Sequence, residues 1–296
     1  MTGVTEEKKP HIFEESTQYQ HWRFSPEQLW DIRNKSTEAA IDRVKRNNEH
    51  AENKIDDKRE YLSAKEELAL CSFYEMQLQI MSKHCKFSDM VMATAVVYMK
   101  RFFLYNTVMD YHPKDIFLTC LFLATKSESE RISIDDFGKN LRLPSTANVL
   151  KLEFTVSQGL KFQYYVHHPY RPAYGFFLDM QTGPTDIKLL KETYRKVDRA
   201  IADILLTDLP LIYQPSQLAL AAFIIAGKDN GFDSQVSRYI KSRFNEQDAA
   251  ALLSIIDSIL DFFKAVPPKV TQEEARNIDY KLRLCMNPAM NPESTM

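Results

Sequence analysis

Between positions 88 and 103 the apolar residues Met92, Ala95, Val96, Met99, Phe102 and Phe103 recur every three or four places, the spacing of one face of an α-helix. The same period is present, less regularly, over 63–83 (Leu68, Cys71, Met76, Leu78, Ile80) and over 146–160 (Val149, Leu152, Val156, Leu160). The stretch after Pro113, with Ile116, Phe117, Cys120, Leu121, Phe122, Leu123 and Ala124, is apolar nearly all round. A helix of that kind belongs in the middle of a bundle. Ser133 with Asp136 frames a short helix before 146, and no alternating strand or Asn-Gly hairpin separates these elements. The pattern predicts five helices around the third.

The pattern then repeats. Tyr111, Pro113, Ile116, Leu118, Leu121, Phe122, Leu123, Ala124 and Lys126 are matched 102 residues later by Tyr213, Pro215, Leu218, Leu220, Phe223, Ile224, Ile225, Ala226 and Lys228. Ala95, Met99, Phe102 and Phe103 correspond at the same offset to Val197, Ile201, Ile204 and Leu205. A period of this length is a domain duplication, longer than the roughly 20 to 50 residues of solenoid repeats. A last helix of the second copy begins at Asn245 with Asp248, carries Leu252, Ile255, Ile256, Ile259, Leu260 and Phe263, and ends at Pro267 and Pro268. A polar helix over 271–285 follows, and Asn-Pro pairs at 287 and 291 suggest a frayed tail. The expected division is an N-terminal helix and charged linker over 1–60, the two five-helix domains over 61–163 and 164–266, and a C-terminal helix and tail over 267–296.

The first 60 residues carry 13 acidic and 11 basic side chains yet hold both tryptophans, Trp22 and Trp30, which an ordinary polar tail would lack. Ser25 and Gln28 form a reciprocal cap, Pro26 suits the first helical position, and Phe24 can staple to Leu29. A helix from about 26 to 46 follows, its narrow apolar stripe (Leu29, Ile32, Ala39, Ala40, Val44) suited to docking on a domain. The run from 43 to 60 reads as a solvated linker or a continuation of that helix.

Composition narrows the chemistry. Seven glycines, none in a phosphate-cradling turn, argue against Rossmann and P-loop functions. A formal charge of −2 does not suit a binder of polyanions, and no apolar stretch reaches the roughly 20 residues of a membrane span. With a charged N-terminus and no Cys-x-x-Cys pair, the chain is expected to be soluble, unsecreted and to keep its four cysteines as thiols. His84 beside Cys85 lacks an orienting acid, and the adjacent His167 and His168 lack the spacing of a helical metal pair, so they read as turn histidines with backbone partners. The abundant carboxylates read as solvated helix faces. No catalytic residue, metal site or cofactor is expected, and binding is the better class of function.

Two charges stand apart. Lys126 ends the third helix, where a cation complements the helix dipole, as its repeat partner Lys228 would. Glu153 lies between Leu152 and Phe154, and its repeat partner is Ile255. Such an acid either finds a cation inside the protein or is offered to a partner.

The residues 99–103 (Met-Lys-Arg-Phe-Phe) and 122–126 (Phe-Leu-Ala-Thr-Lys) in a tandem of five-helix domains closely resemble the cyclin family. Stretches at 21–24, 108–113, 118–120, 168–172, 206–208 and 213–220 resemble its transcriptional branch, the H type above all and, at 168–172, the C type as well. The resemblance implies an all-α fold of two tandem cyclin boxes with added N- and C-terminal helices, and a non-catalytic protein that binds and activates a cyclin-dependent kinase. It implies that Lys126 and Glu153 meet the kinase around its αC helix, with Glu128 what remains of the family's acidic cluster, here interrupted by Ser127 and Ser129. It further implies a RING-finger assembly factor and the core of transcription factor IIH as partners, a nuclear location, and no membrane or direct nucleic-acid partner. Trp22, Phe24 and Trp30 are the candidate contacts of the N-terminal helix. The competing reading is a nucleic-acid-binding cyclin-box factor of the transcription-factor-IIB type, which calls for a basic face and an upstream zinc ribbon.

Overall fold

The computed structural model describes residues 13–50 and 60–290. Among them the ordered elements are helices and turns, with no strand. A short α1 (Thr17–His21) and a long α2 (Pro26–His50) precede α3 (Ala64–His84), α4 (Asp89–Tyr105), α5 (Pro113–Ser127), α6 (Ile134–Asn140) and α7 (Ala147–Gly159). A second set follows: α8 (Tyr170–Met180), α9 (Ile187–Leu205), α10 (Pro215–Gly227), α11 (Asp233–Arg243) and α12 (Glu246–Ala265). The last helix is α13 (Gln272–Cys285).

The helix starts follow from local side-chain chemistry. Ser63 and Glu66 close a capping box at α3, as Thr271 and Glu274 do at α13, while Ser88, Ser133 and Asn245 cap α4, α6 and α12. The duplication is visible in the two central helices. Pro113 and Pro215, 102 positions apart, each occupy a first helical position, where a missing N–H costs nothing. Beyond them Ile116, Cys120, Leu121 and Ala124 in α5, and Ala219, Ala221, Ala222 and Phe223 in α10, are fully buried. Helix α5 is wrapped by α3, α4 and α7, and α10 by α8, α9, α11 and α12.

The N-terminal elements form as expected at Ser25, whose hydroxyl accepts from the Gln28 amide while the Gln28 side chain accepts from the Ser25 amide. Phe24 packs on the cluster that holds Leu29, Leu104 and Leu211. Helix α2 runs to His50, past the expected end, with Leu29, Ala40 and Val44 buried and Ala39 facing solvent. Residues 51–59 of the charged run lie outside the described residues.

Two expectations are corrected. The Asn287 region is no frayed tail: its amide donates to the Met109 carbonyl, its side chain bonds Asn47 and Asp110, and the residue is buried. The second Asn-Pro pair, at 291, lies outside the described residues. Nor are the carboxylates all on solvated faces. Glu75 and Lys100 pair at 2.6 Å with side chains 2% and 3% exposed, Glu67 is buried against the Val108 amide, and Asp208 takes both guanidinium nitrogens of Arg33 at 2.7 Å. Periodicity could not flag these acids, because a buried charge stands in sequence like an exposed one until its partner, here 25 to 175 residues away, is placed beside it.

Candidate functional site

The C-terminal turn of α5 and the outer face of α7 bring the two singled-out charges together. Lys126 Nζ donates to Glu153 Oε1 at 2.6 Å and rests 4.4 Å from the Phe122 ring centroid. Both sides of the earlier alternative are therefore met in part: Glu153 has found a cation, and the pair still faces outward, with side chains 45% and 27% exposed. An ion pair this accessible contributes about 0 to 1 kcal/mol. Stability therefore does not account for it, in contrast to the buried Lys100–Glu75 pair.

Large apolar side chains are exposed on the helix of Glu153 and at its end. Leu150, Phe154 and Phe162 are 47%, 64% and 53% exposed, and the rings of Phe154 and Phe162 meet at 6.0 Å between centroids. Phe162 reaches this position through backbone strain. It and Lys161 both lie at positive φ, 56° and 54°, in the turn that ends α7. Two consecutive non-glycine residues in the left-handed region are costly, and such strain persists where its surroundings impose it. Sequence periodicity missed this cluster; the adjacency of Glu153 to Phe154 was its only linear trace.

Glu128 caps the end of α5 and is half-buried. Its Oε1 accepts from the hydroxyl of Thr94, a fully buried residue of α4, at 2.6 Å. The same hydroxyl oxygen lies 2.7 Å from Nε2 of His168, at the start of the second domain. His168 therefore pairs with a side chain, correcting the expectation of a backbone partner. Burial, with Arg101 and His167 nearby, pushes its imidazole down to about 3, so the ring is neutral. A cleft of about 650 Å³ opens here between the end of α5, the segment 164–168 and the first turns of α8 and α10.

The aromatic residues of the N-terminal segment separate into three cases. Trp22 is a correction: it is fully buried, its indole N–H donating to Gln163 Oε1 at 2.7 Å and its ring covered by the Arg101 guanidinium at 4.9 Å. It ties the segment to the inter-domain connection and offers no surface to a partner. Phe24 is half-buried in the Leu29 cluster, with its amide bonded to the Leu211 carbonyl. Trp30 alone is exposed, with Arg33 stacked 5.6 Å from its ring. His84 is exposed and Cys85 caps α3. No cluster of three or more His, Cys, Asp or Glu side chains suited to a metal occurs among the described residues, and no helix there is long and apolar enough to cross a membrane.

Residues 43–165 match the model of the cyclin N-terminal domain, and residues 168–265 that of the cyclin C-terminal domain. Cyclin CCL1 of Saccharomyces cerevisiae is 34% identical over 252 residues, 81% of this chain, and the chain spans 63% of the length of that relative. A chain of the CAK complex of Chaetomium thermophilum bound to ATP-γ-S superposes with a TM-score of 0.84 at 29% identity, covering 93% of this chain and 89% of that one. A chain of the yeast TFIIK complex (Kin28/Ccl1/Tfb3) does so with a TM-score of 0.67 at 34% identity, covering 84% and 99%.

Proposed function

The chain belongs to the cyclin family, and on that premise we propose that it is a non-catalytic regulatory subunit that binds a cyclin-dependent kinase and holds it active, as part of a kinase-activating kinase associated with transcription factor IIH. The observation that carries this reading is the outward-facing Lys126–Glu153 pair, with Leu150 and Phe154 exposed on the helix that carries Glu153 and Phe162 in ring contact with Phe154. Charged residues this close to exposed aromatic surface are what a partner helix can desolvate, and aromatic anchors with a hydrogen-bonded charge at their centre are the recurring make-up of interface hot spots.

A kinase is competent when its β3 lysine pairs with its αC glutamate. A rigid helical face that binds the inward αC position more tightly than the outward one shifts the population toward activity. Glu153 engages Lys126 through one carboxylate oxygen, which leaves Oε2 to accept from the kinase, and Lys126 keeps two further N–H bonds to donate. Glu128 supplies a second acceptor at the same corner. Truncating one member of such a desolvated pair costs about 2 to 5 kcal/mol of binding.

The relatives support the rest of the assembly. The yeast complex holds Kin28 and Tfb3 beside Ccl1, so a kinase and an assembly factor of the RING-finger type are the partners proposed here. Attachment to the core of transcription factor IIH and a nuclear location go with that role. Trp30, the exposed tryptophan of α2, is the proposed contact of the N-terminal helix.

The test is charge reversal. Glu153→Lys is expected to abolish co-purification of the kinase and its activity on a cyclin-dependent kinase's activation segment, while lowering the thermal midpoint by no more than about 3 °C. Retained kinase binding, or a large loss of stability, overturns the reading.

A further inference from the structure

Helix α4 is the most deeply buried helix of the first domain, yet it carries Thr94, Tyr98 and Arg101, all fully buried. Their spacing of four and three places them on one face. Thr94 and Tyr98 each reach both the end of α5 and the segment 163–168 that leads into the second domain, and Arg101 reaches that segment. Tyr98 Oη lies 2.8 Å from Ser127 Oγ and 2.6 Å from the Tyr164 carbonyl, and Arg101 donates to the Gln163 carbonyl at 3.1 Å. Thr94 lies between Glu128 and His168 at 2.6 and 2.7 Å.

The proton arrangement follows from valence. A carboxylate only accepts, so the single hydroxyl proton of Thr94 goes to Glu128. The Thr94 oxygen must then accept from His168, which places the imidazole proton on Nε2. Nδ1 is buried without a hydrogen-bond partner, so leaving it unprotonated costs less than the unpaired N–H that the other tautomer or a protonated ring would bury there. The direction of both hydrogen bonds is thus fixed, running from His168 through Thr94 to Glu128.

We infer that Thr94 and His168 are positioning residues for Glu128, and that through them the entry to the second domain sets the acidic corner offered to the kinase. The inference rests on the proposed reading of that corner as a kinase contact. Glu128 sits in a turn with few other restraints: Ser129 follows at a φ of 63°, and its own backbone is held only through the end of α5. The Thr94 hydroxyl is the one side-chain donor to its carboxylate among the described residues. A carboxylate held in advance loses less freedom on binding than one that must be ordered by the partner.

A double-mutant cycle on the full chain, with affinity for its co-purifying kinase as the readout, tests this. Glu128→Ala is expected to weaken binding about tenfold, a loss of about 1.4 kcal/mol. Thr94→Val, which keeps the shape and removes the hydroxyl, should weaken it several-fold alone and not at all in the Glu128→Ala background. Thr94→Ser should restore wild-type affinity, and the imidazole ¹⁵N shifts should report the Nε2–H form of His168 in the wild type. Equal losses from Thr94→Val in both backgrounds would show a general structural defect and overturn the inference, as would wild-type affinity in Thr94→Val or a loss in Thr94→Ser as large as in Thr94→Val. Wild-type affinity in Glu128→Ala would instead overturn the underlying reading of the corner.

Discussion

Single acidic residues in this chain differ more by their surroundings than by their type. Glu67, in the first turn of α3, is buried with its Oε2 on the Val108 amide. Burial pushes its carboxyl up to about 7, with the nearby charge of Asp110 acting the same way against the opposing Val108 amide and Thr37 hydroxyl. A raised acid binds its proton more tightly folded than unfolded, so its contribution to stability is fully present below the ordinary carboxylate range and is lost as pH rises through about 7. Glu67→Gln, neutral at every pH, is expected to match the wild type near pH 5 and to exceed its unfolding free energy by about 1 to 3 kcal/mol at pH 8. Denaturant titrations at the two pH values check this, and a variant less stable at pH 8 than at pH 5 relative to wild type refutes it. Glu153, by contrast, is half-buried at the surface and paired with Lys126. Sequence alone points the wrong way, since the buried Glu67 follows Lys65 and Glu66 while the outward-facing Glu153 lies between Leu152 and Phe154. The difference arises from which face the tertiary fold covers.

At the scale of elements, the scarcity of glycine becomes a feature of how helices end. Helices α3, α6 and α7 all close in Schellman motifs: Phe87, Leu143 and Phe162 donate to the carbonyls of Ser82, Gly138 and Ser157, five residues back. The left-handed position before each, usually glycine, is Lys86, Arg142 or Lys161, at φ between 51° and 58°. A cation there faces the negative end of the helix dipole, which offsets part of the backbone cost. Lys86 is exposed, so relief of the strain should outweigh the lost dipole contact and the added freedom of the unfolded chain. Lys86→Gly is expected to stabilise the protein by about 0.5 to 1 kcal/mol, seen as a rise of about 1 to 3 °C in thermal midpoint. An unchanged or lower midpoint shows that the lysine's charge is worth the strain. Helix starts were legible in sequence because Ser25, Ser63, Ser88, Ser133 and Asn245 act on amides two or three residues away. These ends were not, because a lysine in a left-handed turn has no linear signature. Phe162 owes its exposure to such an end, so the apolar half of the candidate site was hidden for the same reason.

In the whole molecule, the segments outside the duplication act as a clamp. Trp22 and Gln18 bind the inter-domain connection at Gln163 and His167, and the Phe24 amide binds Leu211. Helix α2 lies on α4 of the first domain while Arg33 holds Asp208 of the second with two parallel hydrogen bonds, and Asn287 returns the C-terminal region to α2 through Asn47. The repeat at 102 residues foretold two domains and their centres, because duplicated apolar patterns are linear. How the domains are joined was not foretold, because it depends on single polar contacts across 141 to 240 residues. Asp208 is desolvated, yet the Arg33 guanidinium holds its carboxyl below the usual range, so its contribution is present above that range and lost as pH falls through it. Asp208→Ala leaves Arg33 buried and unpaired and is expected to cost about 3 to 5 kcal/mol in unfolding free energy. Replacing both partners, Arg33→Met with Asp208→Leu, should recover most of that loss, because the penalty lies in the orphaned charge and not in the missing attraction. Asp208→Ala alters none of Lys126, Glu153, Phe154 and Trp30, so the kinase affinity of its folded fraction is expected to stay at the wild-type value, whereas Arg33→Met also removes the guanidinium stacked on Trp30. A loss of affinity in the folded fraction of Asp208→Ala would show that the clamp also sets the relative placement of the two domains that the partner reads.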